Sequence, residues 1–165
     1  MARGESSHLP YAGVGPLYVA AIIVLTAMGV ALSQLGLIPH AGWPVPAVLR
    51  VALGIMLIAL GIAVWLAAVL GAGIDEGIRE NRLVTTGIYA WVRNPIYVAF
   101  GMACTGATVM AGNVWLLVLP LLFWALLTAL MRHTEERWLL DLHGSEYRAY
   151  CKCVNRCIPW PPCWR

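Results

Sequence analysis

Charge is absent from three long stretches of this 165-residue chain. Leu17 to Pro39, Val51 to Ile74 and Asn94 to Met131 contain no Asp, Glu, Lys or Arg. About 20 apolar residues of helix cross a hydrocarbon core roughly 30 Å thick, so each of the first two stretches suits one crossing. The third, at 38 residues, is too long for one. Ala111-Gly112-Asn113 is a turn signal inside it, and the reading is two helices joined by a tight hairpin. The expected fold is therefore all-α: a single polytopic integral membrane domain over 1–165, with four transmembrane helices at 17–39, 51–74, 94–110 and 113–131. Composition agrees, with 61% hydrophobic and 12% charged residues. A soluble domain has about 45–50% and about 25%, so a soluble globule, a disordered chain, a collagen-like repeat and a coiled coil are all excluded. The lipid bilayer is the expected partner, and no nucleic acid. The first stretch exceeds a signal-peptide apolar region of about 7–15 residues, with no convincing small-residue cleavage site after it, and reads as a helix.

Orientation follows from the cations. With four crossings, Arg3, Arg79, Arg82, Arg93, Arg132, Arg137, Arg148, Lys152, Arg156 and Arg165 share one face, and Arg50 alone takes the other. The positive-inside bias puts both termini and the segments 75–93 and 132–165 in the cytoplasm. All eight acidic residues fall there too. Trp43 and Trp115 then lie near the outer boundary, Trp91 and Trp138 near the inner one. Pro120 is expected to kink the fourth helix. The run Ile158-Pro159-Trp160-Pro161-Pro162 is expected to form an irregular cap over the cytoplasmic end.

Two cytoplasmic segments carry residues suited to a polar ligand. In the first, Asn81 to Tyr97, Asn94 is placed to N-cap a helix that Pro95 begins. Such a helix start offers free N–H groups to an anion. Arg93 and Tyr97 are four apart and share a face. The same residues also suit interfacial anchoring, with Arg93 on lipid phosphate and Tyr89, Trp91 and Tyr97 as belt aromatics. The second segment, from Arg132 to Tyr150, reads as the fourth helix continuing past the membrane. Arg132–Glu136 and His133–Arg137 are at i,i+4 spacing there, the pattern also of a solvated helix with local ion pairs. Because the hairpin is short, the two segments emerge side by side.

Leu83-Val84-Thr85-Thr86-Gly87-Ile88-Tyr89, then Arg93-Asn94-Pro95-Ile96-Tyr97, a hydrophobic hairpin, Glu135-Glu136 and Gly144-x-Glu146-Tyr147-x-x-Tyr150 follow in order. Together they resemble the isoprenylcysteine carboxyl methyltransferases, related to the membrane phospholipid methyltransferases. The resemblance covers about residues 81–160. It implies an S-adenosyl-L-methionine-dependent enzyme acting on a lipid-like or prenylated substrate, with an isoprenylcysteine-type carboxylate as leading acceptor. Asn81, Leu83 and Val84 would border the adenine and ribose. Tyr89, Asn94, Pro95, Ile96 and Tyr97 would hold the cofactor, and Glu135 (or Glu136 if the register shifts by one) would bind one of its polar groups. Arg132 stands near the family's substrate-facing arginine. Three positions depart from the pattern. Asn94 replaces a His and cannot titrate near neutrality; Asn81 stands where a His is frequent; Ala99 replaces a frequent Gly and is expected to narrow the approach of a neighbouring helix.

Methyl transfer from a sulfonium asks the protein chiefly for alignment. A carboxylate acceptor needs a cation to orient it, for which Arg132 is the candidate, and no catalytic base is assigned. An amine or thiol acceptor would lose a proton, with His133, Glu136 or Tyr147 as candidates. Cys151, Cys153, Cys157 and Cys163 do not follow a standard zinc spacing, and no metal is expected. A phospholipid amine or thiol methyltransferase, a membrane sterol or enone reductase using NADPH, and a non-catalytic scaffold are the competing readings.

Overall fold

The computed structural model describes residues 14–71 and 82–161; Asn81, Cys163 and most of the 75–93 segment's first half lie outside them. Within that range the chain is helical. The α-helices are α1 (Gly15–Gln34), α2 (Ala47–Gly71), α3 (Pro95–Ala111), α4 (Val118–His133) and α5 (Glu135–Cys153). Short 3-10 turns occupy Gly87–Ala90 and Val114–Leu117. There is no strand among the described residues, only isolated bridges pairing Gly42 with Asn113 and Val92 with Asn155. Three helical stretches are long and apolar enough to cross a bilayer: Gly15–Gln34, Ala47–Gly71 and Val114–His133. Pro95–Ala111 is also apolar but shorter. The protein is a multi-pass membrane protein.

Small residues set the tightest helix pair. Gly54, Gly61 and Ala68 recur every seven residues and form the buried stripe of α2. A Cβ on Gly61 would fall 2.7 Å from the Ala99 carbonyl oxygen, and one on Gly106 would fall 2.6 Å from that of Gly54. The backbones of α2 and α3 thus touch directly, the close approach that small residues permit in membranes. The narrowing expected at Ala99 is answered by Gly61, which supplies the missing space from the opposite helix. A second core gathers Tyr18 and Ile22 of α1, Cys104 of α3, and Phe123, Leu127 and Met131 of α4.

Two local expectations change. Pro120 makes no mid-helix kink, because regular α-helix begins only at Val118 and Pro120 falls in the first turn, where no N–H is needed. The second segment is not a continuation of the fourth helix. Thr134 adopts φ −129°, ψ −89° between α4 and α5, and its hydroxyl donates to the Leu130 carbonyl at 2.6 Å. No glycine or proline marks the break; the side chains that follow it are held by other elements. Gly112 ends α3 in the left-handed region (φ 73°), the usual glycine stop.

α5 carries a second interruption at Gly144, with φ 51° and ψ −114°. A straight helix of that length would span about 28 Å. Glu136 at its start nevertheless meets Arg156 just beyond its end at 2.6 Å. The chain therefore folds back at Gly144, in a conformation that only glycine adopts without strain. Tyr147, Tyr150 and Val154 form a small core there, against Leu83, Leu139 and Leu140.

Candidate functional site

The polar end of the bundle is assembled from four separate pieces of chain. α1 contributes its first residue: the Gly15 backbone N–H is bonded to the Glu135 carboxylate. α3 contributes Tyr97, whose hydroxyl donates to Glu135 Oε1 at 3.0 Å. A side chain at Gly15 would run into the Tyr97 phenol, so the glycine makes room for this meeting. The Tyr18 ring stands edge-on to Tyr97, centroids 5.8 Å apart. Burial pushes the Glu135 carboxyl above its ordinary value, only partly offset by the Tyr97 and Gly15 hydrogen bonds.

Glu136 faces the other way. It accepts from Arg156 twice, Nε to Oε1 at 2.6 Å and Nη2 to Oε2 at 2.8 Å, the fork geometry of a strong arginine–carboxylate pair. Arg93 Nη1 lies 3.0 Å from Oε1 of the same carboxylate and 2.7 Å from Cys151 Sγ. Burial alone would raise Glu136, but the Arg156 hydrogen bonds and the Arg93, Arg156 and Arg132 charges outweigh it and hold the carboxyl below its ordinary range. Two neighbouring carboxylates thus lean in opposite directions.

The tail is stitched to the segment before α3. Arg93 N donates to the Asn155 carbonyl and Trp160 N to that of Trp91, both at 2.9 Å. The Tyr150 hydroxyl donates to Tyr89 O at 2.6 Å. Asn94 occupies the N-cap position of α3, yet its side chain does not cap the helix. Its Nδ2 donates to the Arg156 carbonyl at 3.1 Å instead, because closing the tail satisfies a carbonyl that water would otherwise have to reach.

Of the residues expected at the site, Tyr97 and Glu135 touch, Tyr89 is bonded to Tyr150 of α5, Asn94 to the tail, and Leu83 packs on the α5 core. Pro95 is buried at the start of α3, with Val84 and Ile96 half-buried nearby in sequence. Arg132 is exposed at the end of α4; its charge reaches Glu136, but the direct partners of that carboxylate are Arg93 and Arg156. Residue-pair spacing pointed to Arg132–Glu136. The observed Arg156 pairing spans 20 positions, and no periodicity announces it. Gly15 and Cys157 were likewise without a local signal, whereas Tyr150 stood in the Gly-x-Glu-Tyr-x-x-Tyr motif.

Beneath Tyr97 a cavity of about 180 Å³ runs between α1, α2, α3 and α4. Leu57, Met102, Phe123 and Leu127 line it with Tyr18 and Tyr97, and Cys157 of the tail stands beside them. Its walls are largely hydrocarbon, so the structure joins a charged, partly buried cluster to an apolar space through one tyrosine.

The helical membrane bundle thus sets a charged cluster, closed by loop, helix end and tail, beside an apolar cavity. The profile of the phospholipid methyltransferase family matches residues 49–146. This chain belongs to that family. It is also similar to protein-S-isoprenylcysteine O-methyltransferase of Schizosaccharomyces pombe, 38% identical over 85 residues covering 51% of this chain and 36% of that one. Methanethiol S-methyltransferase 1 of Bradyrhizobium diazoefficiens is 40% identical over 80 residues, 48% of this chain and 27% of that protein. The Saccharomyces cerevisiae protein-S-isoprenylcysteine O-methyltransferase is 29% identical over 82 residues. The chain thus spans about a third of the length of the curated relatives it matches. No solved structure matches it.

Proposed function

We propose that this protein transfers a methyl group from S-adenosyl-L-methionine, bound at the polar end, to a lipid-like acceptor whose apolar part lies in the bundle cavity. The leading acceptor is the carboxylate of an isoprenylcysteine-type compound. In this reading the chain crosses the membrane four times as one domain, with both termini and the 132–165 segment forming a cytoplasmic cap, as its arginine distribution supports. The observation that carries the reading is Tyr97, which reaches Glu135 on one side and lines the apolar cavity on the other.

The residues present fit such a cofactor. Arg93 Nε is buried with no hydrogen-bond partner among the described residues, a donor suited to a carboxylate, while Glu135 suits a cationic amine. Leu83 and Val84 would border the adenine and ribose with Asn81; Tyr89, Asn94, Pro95, Ile96, Tyr97 and Glu135 would hold the rest. When bound, the cofactor supplies an electrophilic methyl on a sulfonium. The protein's share is alignment: Tyr97 fixes Glu135, the Arg93–Glu136–Arg156 cluster fastens the tail that excludes water, and Arg132 orients the acceptor anion. Excluding water strengthens attraction between a carboxylate and a sulfonium.

A thiol acceptor is the second reading, favoured by one feature: burial raises the Glu135 carboxyl, which makes it a better proton acceptor. The two readings differ in pH dependence. With the cofactor saturating, a carboxylate acceptor gives a rate with no rising limb from Glu135, whereas a thiol acceptor gives a rate that climbs with pH as Glu135 deprotonates. Calorimetry on the purified protein tests the class itself. S-adenosylhomocysteine binds and NADPH does not; Tyr97→Ala and Glu135→Ala each weaken that binding at least about tenfold, the loss of roughly one charge-assisted hydrogen bond. Binding of NADPH alone points to a reductase, and binding of neither to a scaffold.

A further inference from the structure

We propose that Tyr18 and Cys157 select the acceptor, by fixing how bulky an apolar group can lie against Tyr97 at the polar end of the bundle cavity. This rests on the methyltransferase reading above and adds the residues that give it specificity. The family profile matches residues 49–146, and the cavity is lined by Leu57, Tyr97 and eight others within that range plus Tyr18 and Cys157, which lie outside it. Residues of the matched block line most of the cavity, and Tyr18 and Cys157, from either side of that block, complete its wall.

Both are held firmly enough to act as walls. Tyr18 is 2% exposed, its ring edge-on to Tyr97 and its hydroxyl donating to the Phe123 carbonyl at 3.3 Å. Cys157 is set by a turn in which Asn155 Oδ1 accepts from the backbone N–H groups of Cys157 and Ile158. The preceding carbonyl, that of Arg156, is tied to Asn94. The polar atoms nearby are already spent: the Tyr97 hydroxyl on Glu135, that of Tyr18 on Phe123, and that of Thr105 on the Gly101 carbonyl at 2.7 Å. An occupant bearing an acceptor would find those hydroxyl protons already taken, so the preferred group is hydrocarbon or thioether. One methylene gained or lost in such a pocket changes kcat/KM by about 10–200-fold, so the bulk of these two side chains is enough to set preference.

The test uses the full-length protein in liposomes and a series of N-acetyl-S-alkylcysteines of rising alkyl length. Tyr18→Leu and Cys157→Ala shift the preferred acceptor to bulkier alkyl groups, changing the long-to-short ratio of kcat/KM at least about tenfold, while Cys157→Leu shifts it the other way. Tyr18→Phe keeps the ring and retains the parent's preference. In the parent protein, the best acceptor slows maleimide alkylation of Cys157, read cysteine by cysteine by peptide mass mapping, a measurement that needs no variant to fold. S-adenosylhomocysteine binding with an unmoved acceptor profile, or with Cys157 alkylated equally fast in the presence of acceptor, overturns the assignment of these two residues. Failure of the parent protein to bind S-adenosylhomocysteine overturns the methyltransferase reading instead.

Discussion

The two ends of the bundle are closed by opposite kinds of chemistry. Where α3 turns into α4, Asn113 is 2% exposed. Its Nδ2 donates to Ser33 Oγ at 2.9 Å and Pro39 O at 3.2 Å, and its Oδ1 accepts from Trp115 N. That network is neutral and works at any pH. At the polar end Glu136 sits between Arg93 and Arg156 with side chains 10–18% exposed. Half-buried ion clusters add little net stability over a hydrocarbon replacement, but losing one member is costly. The far end secures the hairpin, whereas the polar end spends stability on holding charge in a fixed place.

Removing the shared anion should disturb the molecule most. Glu136→Gln leaves two arginines facing each other and destabilises the polar end by about 3 kcal/mol, measured by denaturant unfolding in mixed micelles with Trp91 and Trp160 emission as reporters. A loss comparable to that of a surface pair would mean the two ends do not differ in kind. Next, Asn113→Ala leaves the Ser33 and Pro39 groups unpaired and costs about 2 kcal/mol, while calorimetric affinity for S-adenosylhomocysteine stays at the parent value. A fall in that affinity would show the two ends to be coupled.

On mild acidification the polar end responds least, because its two carboxyls titrate in opposite senses. Glu136 is held below its ordinary value, so its contribution is complete above the unfolded carboxylate pKa and disappears as pH falls through the lower folded one. Glu135 is raised and works in the opposite sense: the stability it adds is present at low pH and lost as pH rises through its folded pKa. Acidification therefore first relieves Glu135 and then releases the Glu136 cluster. Unfolding of the parent and of Glu136→Gln, compared from neutrality to acid, should converge at the acid end.

What the chain announced in advance were features that act over short range. Charge-free runs marked the helices, Gly112 marked the hairpin, and Pro95 marked the start of α3, because each works through its own backbone or through solvent. The misread features all depend on distant partners. Asn94 has the residue type of a cap, but a carbonyl 62 positions away claims its amide. Thr134 breaks a helix that its neighbours would continue, since Glu135 is drawn to Tyr97 and Glu136 to Arg156. The α2 glycines were read as part of an apolar run, although their seven-residue spacing is the contact surface for α3. Membership of the phospholipid methyltransferase family was legible because its motif residues are local clusters, even though the bonds among them are not.

The fold-back at Gly144 makes α5 a measured part. Glu136 lies on one limb and Arg156 follows the other, and they meet only because the two limbs match in length. An extra residue in either limb would rotate everything beyond it by about 100° and advance it about 1.5 Å, carrying one partner away from the other. A substitution on the outward face of α5 leaves that meeting intact, whereas an insertion or deletion does not. The segment works as a caliper, in which spacing matters as much as the residues at its two tips and at its pivot.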